Sequence, residues 1–232
     1  MEKAIDLNDL RIKLDQLNEQ IISGLKTRSR YALNSRTFSE EFAEGKTWFL
    51  YRLKREQDVD SEFGRFLFHD QTPLLFTKKE LSGARIGREV SRSGIEPIVL
   101  NFSKEIIQTY QEILKEICET REDEATYGEV AKLDVNNVLA LNERVVGLGE
   151  QVAAYKLQEH PELLKAKSEK DILAILVNTK REEEVVVNTV EIAKKYGLKN
   201  LESISEFAKK IIEITRKVEV KFILHAQKNM KK

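Results

Sequence analysis

Apolar residues recur along this chain at intervals of three and four, the pattern of helices that bury one stripe. Leu7, Leu10, Leu14, Leu17, Ile21, Ile22 and Leu25 predict a first helix over roughly 5–34, with Asp6 or Asn8 as its cap. Trp48, Phe49, Leu50, Leu53, Val59 and Phe63 predict a second over 46–67. The pattern then breaks in FLFHDQTPLLF, whose centre at His69–Pro73 reads as an extended connection or a short helix. Gly83, Gly87, Gly94 and Pro97 make 82–97 the best loop candidate. Helical spacing resumes over 101–122, with Asn101 as a cap, and over 129–158 from Val130 to Val152. Shorter helices are expected near 169–175 and 176–196, the latter stopping at Gly197 in KKYGL, and a last one over 201–228. LDQLNEQIISGL at 14–25 and LDVNNVLAL at 133–141 echo each other, and each runs on to an arginine, Arg28 or Arg144.

Composition narrows the class. The chain has 232 residues with Gly 10 and Pro 3, roughly half the usual combined share. So few turn-formers argue against a many-stranded sandwich or barrel and for an all-α fold in a single domain, 1–232. Hydrophobic residues at 41% exclude a disordered chain. Lys plus Arg and Asp plus Glu are both 39, so no net charge draws the chain to nucleic acid or an acidic membrane. No apolar run approaches the ~18 residues of a membrane span. Cys118 stands alone, which rules out an internal disulfide and fits a reducing compartment. With His69, His160 and His225 scattered, no His/Cys zinc site is legible, and the glycines at 83, 87 and 94 follow no strand that would make a phosphate-binding loop. The N-terminal MEKAIDLNDL lacks the apolar core of a signal peptide, so a cytoplasmic protein is expected.

Four placements of polar residues stand out. Arg11 lies in the first helix, and Arg144 and Lys156 lie on one later helix. Asn178 and Glu182 are four apart, as are Thr215 and Glu219, a spacing that puts both side chains on one helix face. Glu219 sits between Val218 and Val220 in a strongly apolar helix, where a buried carboxylic acid has a raised pKa and can donate a hydrogen bond. Taken singly, each has an ordinary reading. A lone Arg or Lys in a chain that is 34% charged is usually solvated surface, and Cys118 and Trp48 are usually core.

Together, the segments resemble the all-helical chorismate mutases of the longer fungal and plant type. LNDLRIKLDQLNEQIISGLKTRS resembles that family's first helix, with Arg11 in the place of a substrate-binding arginine. HDQTPLLF resembles the segment after its second long helix. ALNERVVGLGEQVAAYKLQ resembles the helix with the second arginine and the catalytic lysine, here Arg144 and Lys156. ILVNTKREEEVV and FAKKIIEITRKVEVKFIL place Asn178, Glu182, Thr215 and Glu219 in register with its remaining polar positions. The resemblance runs from about 5 to 228. It implies one domain of about ten helices, a duplicated mutase bundle with pseudo-repeats at 5–122 and 129–228, one site per chain and a homodimer built on 46–67 and 101–125. It also implies the Claisen rearrangement of chorismate to prephenate, in phenylalanine and tyrosine biosynthesis, without metal, cofactor or covalent intermediate. Arg11 and Arg144 would each grip a carboxylate. Lys156 and protonated Glu219 would donate to the ether oxygen, Glu182 would accept from the ring hydroxyl, and Asn178 and Thr215 would complete the orientation.

Two departures bear on this. Arg144 and Lys156 are separated by twelve residues where the family usually has eleven, which adds ~100° between the side chains on a regular helix. A single-turn π-bulge in RVVGLG is expected to absorb it. Arg65 and Gly128 match part of the family's aromatic amino-acid effector site, but Glu129 and Lys132 stand where a small hydroxyl-bearing pair is expected. Weak or no response to tyrosine or tryptophan follows. The competing readings are an isochorismate pyruvate-lyase, a non-catalytic module of the same fold binding an aromatic effector, and a helical scaffold without a small-molecule site.

Overall fold

Helix α1 (Leu7–Arg28) begins where the Asp6 carboxylate accepts from the Asn8 N–H at 2.8 Å. The computed structural model describes residues 6–66, 73–81 and 98–229. The glycine-rich stretch 82–97 and most of the centre of FLFHDQTPLLF lie outside them. α1 stops six residues short of the expected end, because the following segment is claimed by another partner. Leu33 donates to the Glu119 carbonyl, Ala32 forms an isolated bridge with Glu119, and Asn34 takes a left-handed φ of 51°.

After the single turn α2 (Arg36–Ser39) comes a small antiparallel hairpin, β1 (Glu41–Ala43) and β2 (Lys46–Thr47), that the spacing did not predict. Glu44 and Gly45 both have positive φ at its turn, the geometry favoured in two-residue hairpins. Phe42 stacks on Trp48 with ring centroids 3.8 Å apart. Thr47 then caps α3 (Trp48–Glu62) by accepting from the Leu50 N–H.

The remaining elements are α4 (Ser103–Ile117), α5 (Tyr127–Asn142), a π-helical turn (Glu143–Gly147), α6 (Leu148–Glu159), α7 (Glu169–Leu176), α8 (Thr179–Lys195) and α9 (Leu201–Asn229). The expected 129–158 helix is thus α5 and α6 joined through a π turn. Gly197, at a φ of 72°, ends α8 as its position predicts. α9 packs on α4, α6, α7 and α8, and α1 packs on α5 and α8. The main core gathers Ile21, Leu25, Tyr110, Leu141 and Phe207, and a second cluster joins Leu163, Ile172 and Phe222 around the far half of α9. The fold is all-α apart from the short hairpin, and no helix among the described residues is long and apolar enough to cross a membrane.

One buried polar knot ties α1, α4 and α5 together. The Arg28 side chain is fully buried and donates from Nε to Asp134 Oδ1 at 2.7 Å. Its Nη1 and Nη2 donate to the carbonyls of Ala32 and Leu33. The Tyr110 hydroxyl donates to the same Asp134 oxygen, and Asn137 donates to that hydroxyl. Burial pushes the Asp134 carboxyl up to about 6, with Arg28 pulling the other way, so it is ionised and paired at neutral pH. Removing one partner of a buried pair strands the other charge. Asp134→Ala is expected to cost about 3–5 kcal/mol, read as a lowered urea midpoint, with Asp134→Asn costing less because it keeps an acceptor for Tyr110.

Candidate functional site

The π turn decides where the cations point. Five residues, Glu143–Gly147, wind with the wider repeat, which absorbs the extra residue between Arg144 and Lys156. Both side chains consequently line one pocket of about 120 Å³ between the π turn, α6, α8 and α9, with Leu14 of α1 at its edge. Gly149 lets α6 close onto α9 here. A Cβ at that position would stand 3.1 Å from Val218 Cγ1 and 3.6 Å from Thr215 Cγ2.

Arg144 is 7% exposed, and its Nε has no hydrogen-bond partner. Burial lowers its pKa to about 10, Asp15 opposes that, and the guanidinium stays cationic at neutral pH. A buried cation without a partner is costly unless an anion arrives to pair with it. Lys156 Nζ donates to Glu219 Oε2 at 2.8 Å, to Oε1 at 3.1 Å and to the Leu176 carbonyl at 3.0 Å. Glu219 is 5% exposed. Burial raises its pKa, Lys156 lowers it, nearby Glu182 raises it and Arg216 lowers it. Glu182 on α8 is gripped by Arg216 of α9 through both oxygens, with Nε to Oε1 at 2.8 Å and Nη2 to Oε2. Thr215 lines the same pocket, although its hydroxyl donates to the Ile211 carbonyl at 2.9 Å.

The pocket therefore brings together Arg144, Lys156, Glu182, Thr215 and Glu219 of the residues singled out from sequence. It does not bring in Asn178 or Arg11. Asn178 does not share a helix face with Glu182. It is the N-cap of α8, its side-chain carbonyl accepting from the Arg181 N–H at 3.0 Å, because asparagine is among the best residues for that role. Arg11 is exposed on α1, three residues before the pocket-lining Leu14, and does not itself line the pocket. Arg65 and Gly128 are also apart. Arg65 pairs with Glu143 at 2.7 Å just beyond the end of α5, while Gly128 lies in its first turn. Helical rise separates Gly128 from Glu143 by ~22 Å, so one chain alone makes no site from both.

Sequence reasoning overlooked Arg181, Arg216 and Gly149, all of which line the pocket. The signal for Arg216 was its place between Thr215 and Glu219, three residues from the latter and hence on a neighbouring face. Arg181 had the same kind of signal, being adjacent to Glu182. Four cations and two carboxylates line the pocket, a balance that favours a ligand carrying two negative charges. Larger grooves lie between α4 and α9, about 450 Å³, and between α1 and α8, about 610 Å³. The charges in the former include exposed ion pairs, as in Lys210–Glu112 at 2.7 Å. Among the described residues no three His, Cys, Asp or Glu side chains group as metal ligands.

The fold is that of the long plant and fungal chorismate mutases. The chloroplast chorismate mutase from Zea mays superposes with a TM-score of 0.80 over 95% of each chain, at 24% identity. The Aro7p chorismate mutase from Candida albicans, in complex with L-Trp, gives 0.83 over 97% of this chain and 92% of that one, at 21% identity. AtCM1 with tyrosine bound in an allosteric site gives 0.81 over 95% and 96%, at 20% identity. No protein-family model matches the chain, and no curated protein matches it.

Gly149→Ala tests the close approach of α6 to α9. The added methyl presses on Val218 at 3.1 Å, while alanine gains about 1 kcal/mol over glycine within a helix, so the outcome turns on whether Val218 gives way. The expected outcome is a lower melting temperature if Val218 is held in place and a higher one if it yields, read by thermal denaturation beside wild type.

Proposed function

We propose that this protein is a chorismate mutase, an isomerase that rearranges chorismate to prephenate. The observation that supports this best is the convergence of buried, unpartnered Arg144 with Lys156 and buried Glu219 in one pocket of this fold. Arg144 is the anchor for one substrate carboxylate. Arg11, exposed on α1 three residues before Leu14, would take the other by swinging toward the ligand. Holding both carboxylates restrains the substrate in its compact, reactive shape, which removes much of the entropic part of the barrier.

As the ether bond breaks, negative charge grows on its oxygen, and donors already aimed there stabilise the transition state more than the ground state. Lys156 is one such donor, held by the Leu176 carbonyl while it turns from Glu219 to the ligand. Glu219 becomes the second when protonated. In the free protein its carboxylate accepts from Lys156. A dianion arriving beside it and competing for Lys156 raises its pKa further, so binding takes up a proton. Glu182 accepts from the ring hydroxyl, and Thr215 completes the wall. Asn178 acts indirectly, by fixing the start of α8. No residue in this scheme needs a metal, a cofactor or a covalent bond.

We read the chain as one domain with its pseudo-repeats at 5–122 and 129–228, working as a homodimer. Phe63, Val59 and Phe42 are 87%, 53% and 45% exposed on and beside α3, an apolar face for a second copy to cover. Arg65 is held by Glu143, and Glu129 and Lys132 are exposed charges near Gly128. An aromatic effector would have to displace Glu143 from Arg65 and tolerate both, so tyrosine and tryptophan are expected to leave the saturation curve unchanged. A clear shift with either overturns that.

The direct test is chorismate consumption with product identification, on wild type beside Arg144→Ala. Wild type is expected to make prephenate and Arg144→Ala to lose at least about a hundredfold in kcat/KM. Folded wild type that leaves chorismate untouched points instead to a binding module of the same fold. The pH dependence is a separate prediction. The folded pKa of Glu219 is raised, and its working form is protonated, so kcat is full below that pKa and falls as pH rises through it. Glu219→Gln, which donates at any pH, is expected to flatten the profile.

A further inference from the structure

The pocket contains a second ion pair that the reaction scheme leaves unexplained. Arg216 leaves α9 beside Thr215 and crosses to α8, where it takes both oxygens of Glu182. Both residues line the pocket, and the pair is partly covered, with side-chain exposures of 36% and 20%. A bidentate guanidinium fixes the plane and direction of a carboxylate and occupies one lone pair on each oxygen, leaving the others free to accept. It also cancels a negative charge that would repel a dianion.

We infer that Arg216 is a positioning residue of this site: by gripping both Glu182 oxygens it keeps that carboxylate aimed into the pocket, so that the pocket favours a dicarboxylate that carries a hydroxyl over one that lacks it. The inference rests on the proposed function, and sharpens it by naming what selects the ring hydroxyl. The charged groups around Glu182 are consistent with a fixed acceptor. Arg181 and Glu184 share its helix and pair with each other at 3.2 Å. Arg216 and Glu219 face it from α9, Lys156 from α6, and Arg144 from the π turn. Of the neighbouring cations among the described residues, only Arg216 is bonded to Glu182. Lys156 holds Glu219, Arg181 holds Glu184, and Arg144 is buried in the pocket beside the π turn. Arg216 is thus the clamp whose removal frees Glu182 to turn.

The test uses the full chain and two stable cyclohexene dicarboxylates that differ only in a ring hydroxyl, with binding read by calorimetry beside chorismate turnover. Wild type is expected to prefer the hydroxyl form by about tenfold to a hundredfold, the range for a hydrogen bond to a charged group. Arg216→Gln is expected to cut the preference to about threefold or less, and Arg216→Lys to restore part of it. Glu182→Gln should lose it as well, and the double variant should be no worse than the weaker single, since both break one unit. Melting curves identify any variant that fails to fold, and Arg216→Lys and Glu182→Gln then carry the test. Equal affinity of wild type for the two ligands, or an unaltered preference in folded Arg216→Gln, overturns the inference. A hydroxyl preference that depends on Arg216 in a protein that leaves chorismate unchanged supports the inference and overturns the proposed reaction.

Discussion

A regular α-helix cannot aim Arg144 and Lys156 at one ligand. Their separation of twelve residues leaves them on diverging faces unless the helix changes its repeat between them. The π turn at Glu143–Gly147 is that change, and the site follows from it. It swings Arg144 inward against the main core and lets α6 continue at an angle that brings Lys156 to Glu219. Gly149 then allows α6 to lie close enough to α9 for the pocket walls to meet. Glu143, the first residue of the turn, is tied outward to Arg65, so the two sides of the turn face opposite charges.

The two arginines that end the matched leucine–aspartate runs show how one chemistry serves two purposes. Arg28 lies against the Asp134 of the other run, and Arg144 is coupled most strongly to the Asp15 of the other run. The first pairing is sealed. Arg28 satisfies its donors on Asp134 and two carbonyls, and Tyr110 and Asn137 close the knot. The second is open: Asp15 is exposed and makes no hydrogen bond to Arg144, whose Nε has no partner. A satisfied buried arginine contributes to uniqueness of packing, while an unsatisfied one stores a demand that an incoming anion meets. Relative to Arg144, Arg28 differs in a few neighbours rather than in kind.

Much of this was legible in the sequence, for definable reasons. Three-four spacing marked α1, α3, α4, α8 and α9, because each of these helices keeps one continuous buried stripe. Arithmetic on two residue numbers pointed to the π turn, since helical geometry constrains any pair required on one face. Element ends were less legible. The end of α1 is set by Glu119, about ninety residues away, and no local signal announces that contact. The hairpin at 41–47 is too short for alternation to register, and only its Glu-Gly turn hinted at it. Asn178 shows the same limit at the site: a residue four before a glutamate reads as a face partner until the helix is found to begin just after it. Arg216 escaped notice because its meaning lies in a contact to another helix, which spacing along one helix does not report.

The carbonyl that steadies Lys156 belongs to Leu176, the last residue of α7. Carbonyls in the final turn of a helix have no N–H ahead of them to bond, and they carry the negative end of the helix dipole. Lys156 is therefore docked on a helix end that exists only because the chain breaks between α7 and α8. A chain that ran from Ile172 into Glu182 as one helix would spend that carbonyl on its own backbone. The two-residue interruption at Val177 and Asn178 thus leaves a backbone carbonyl free to serve the site.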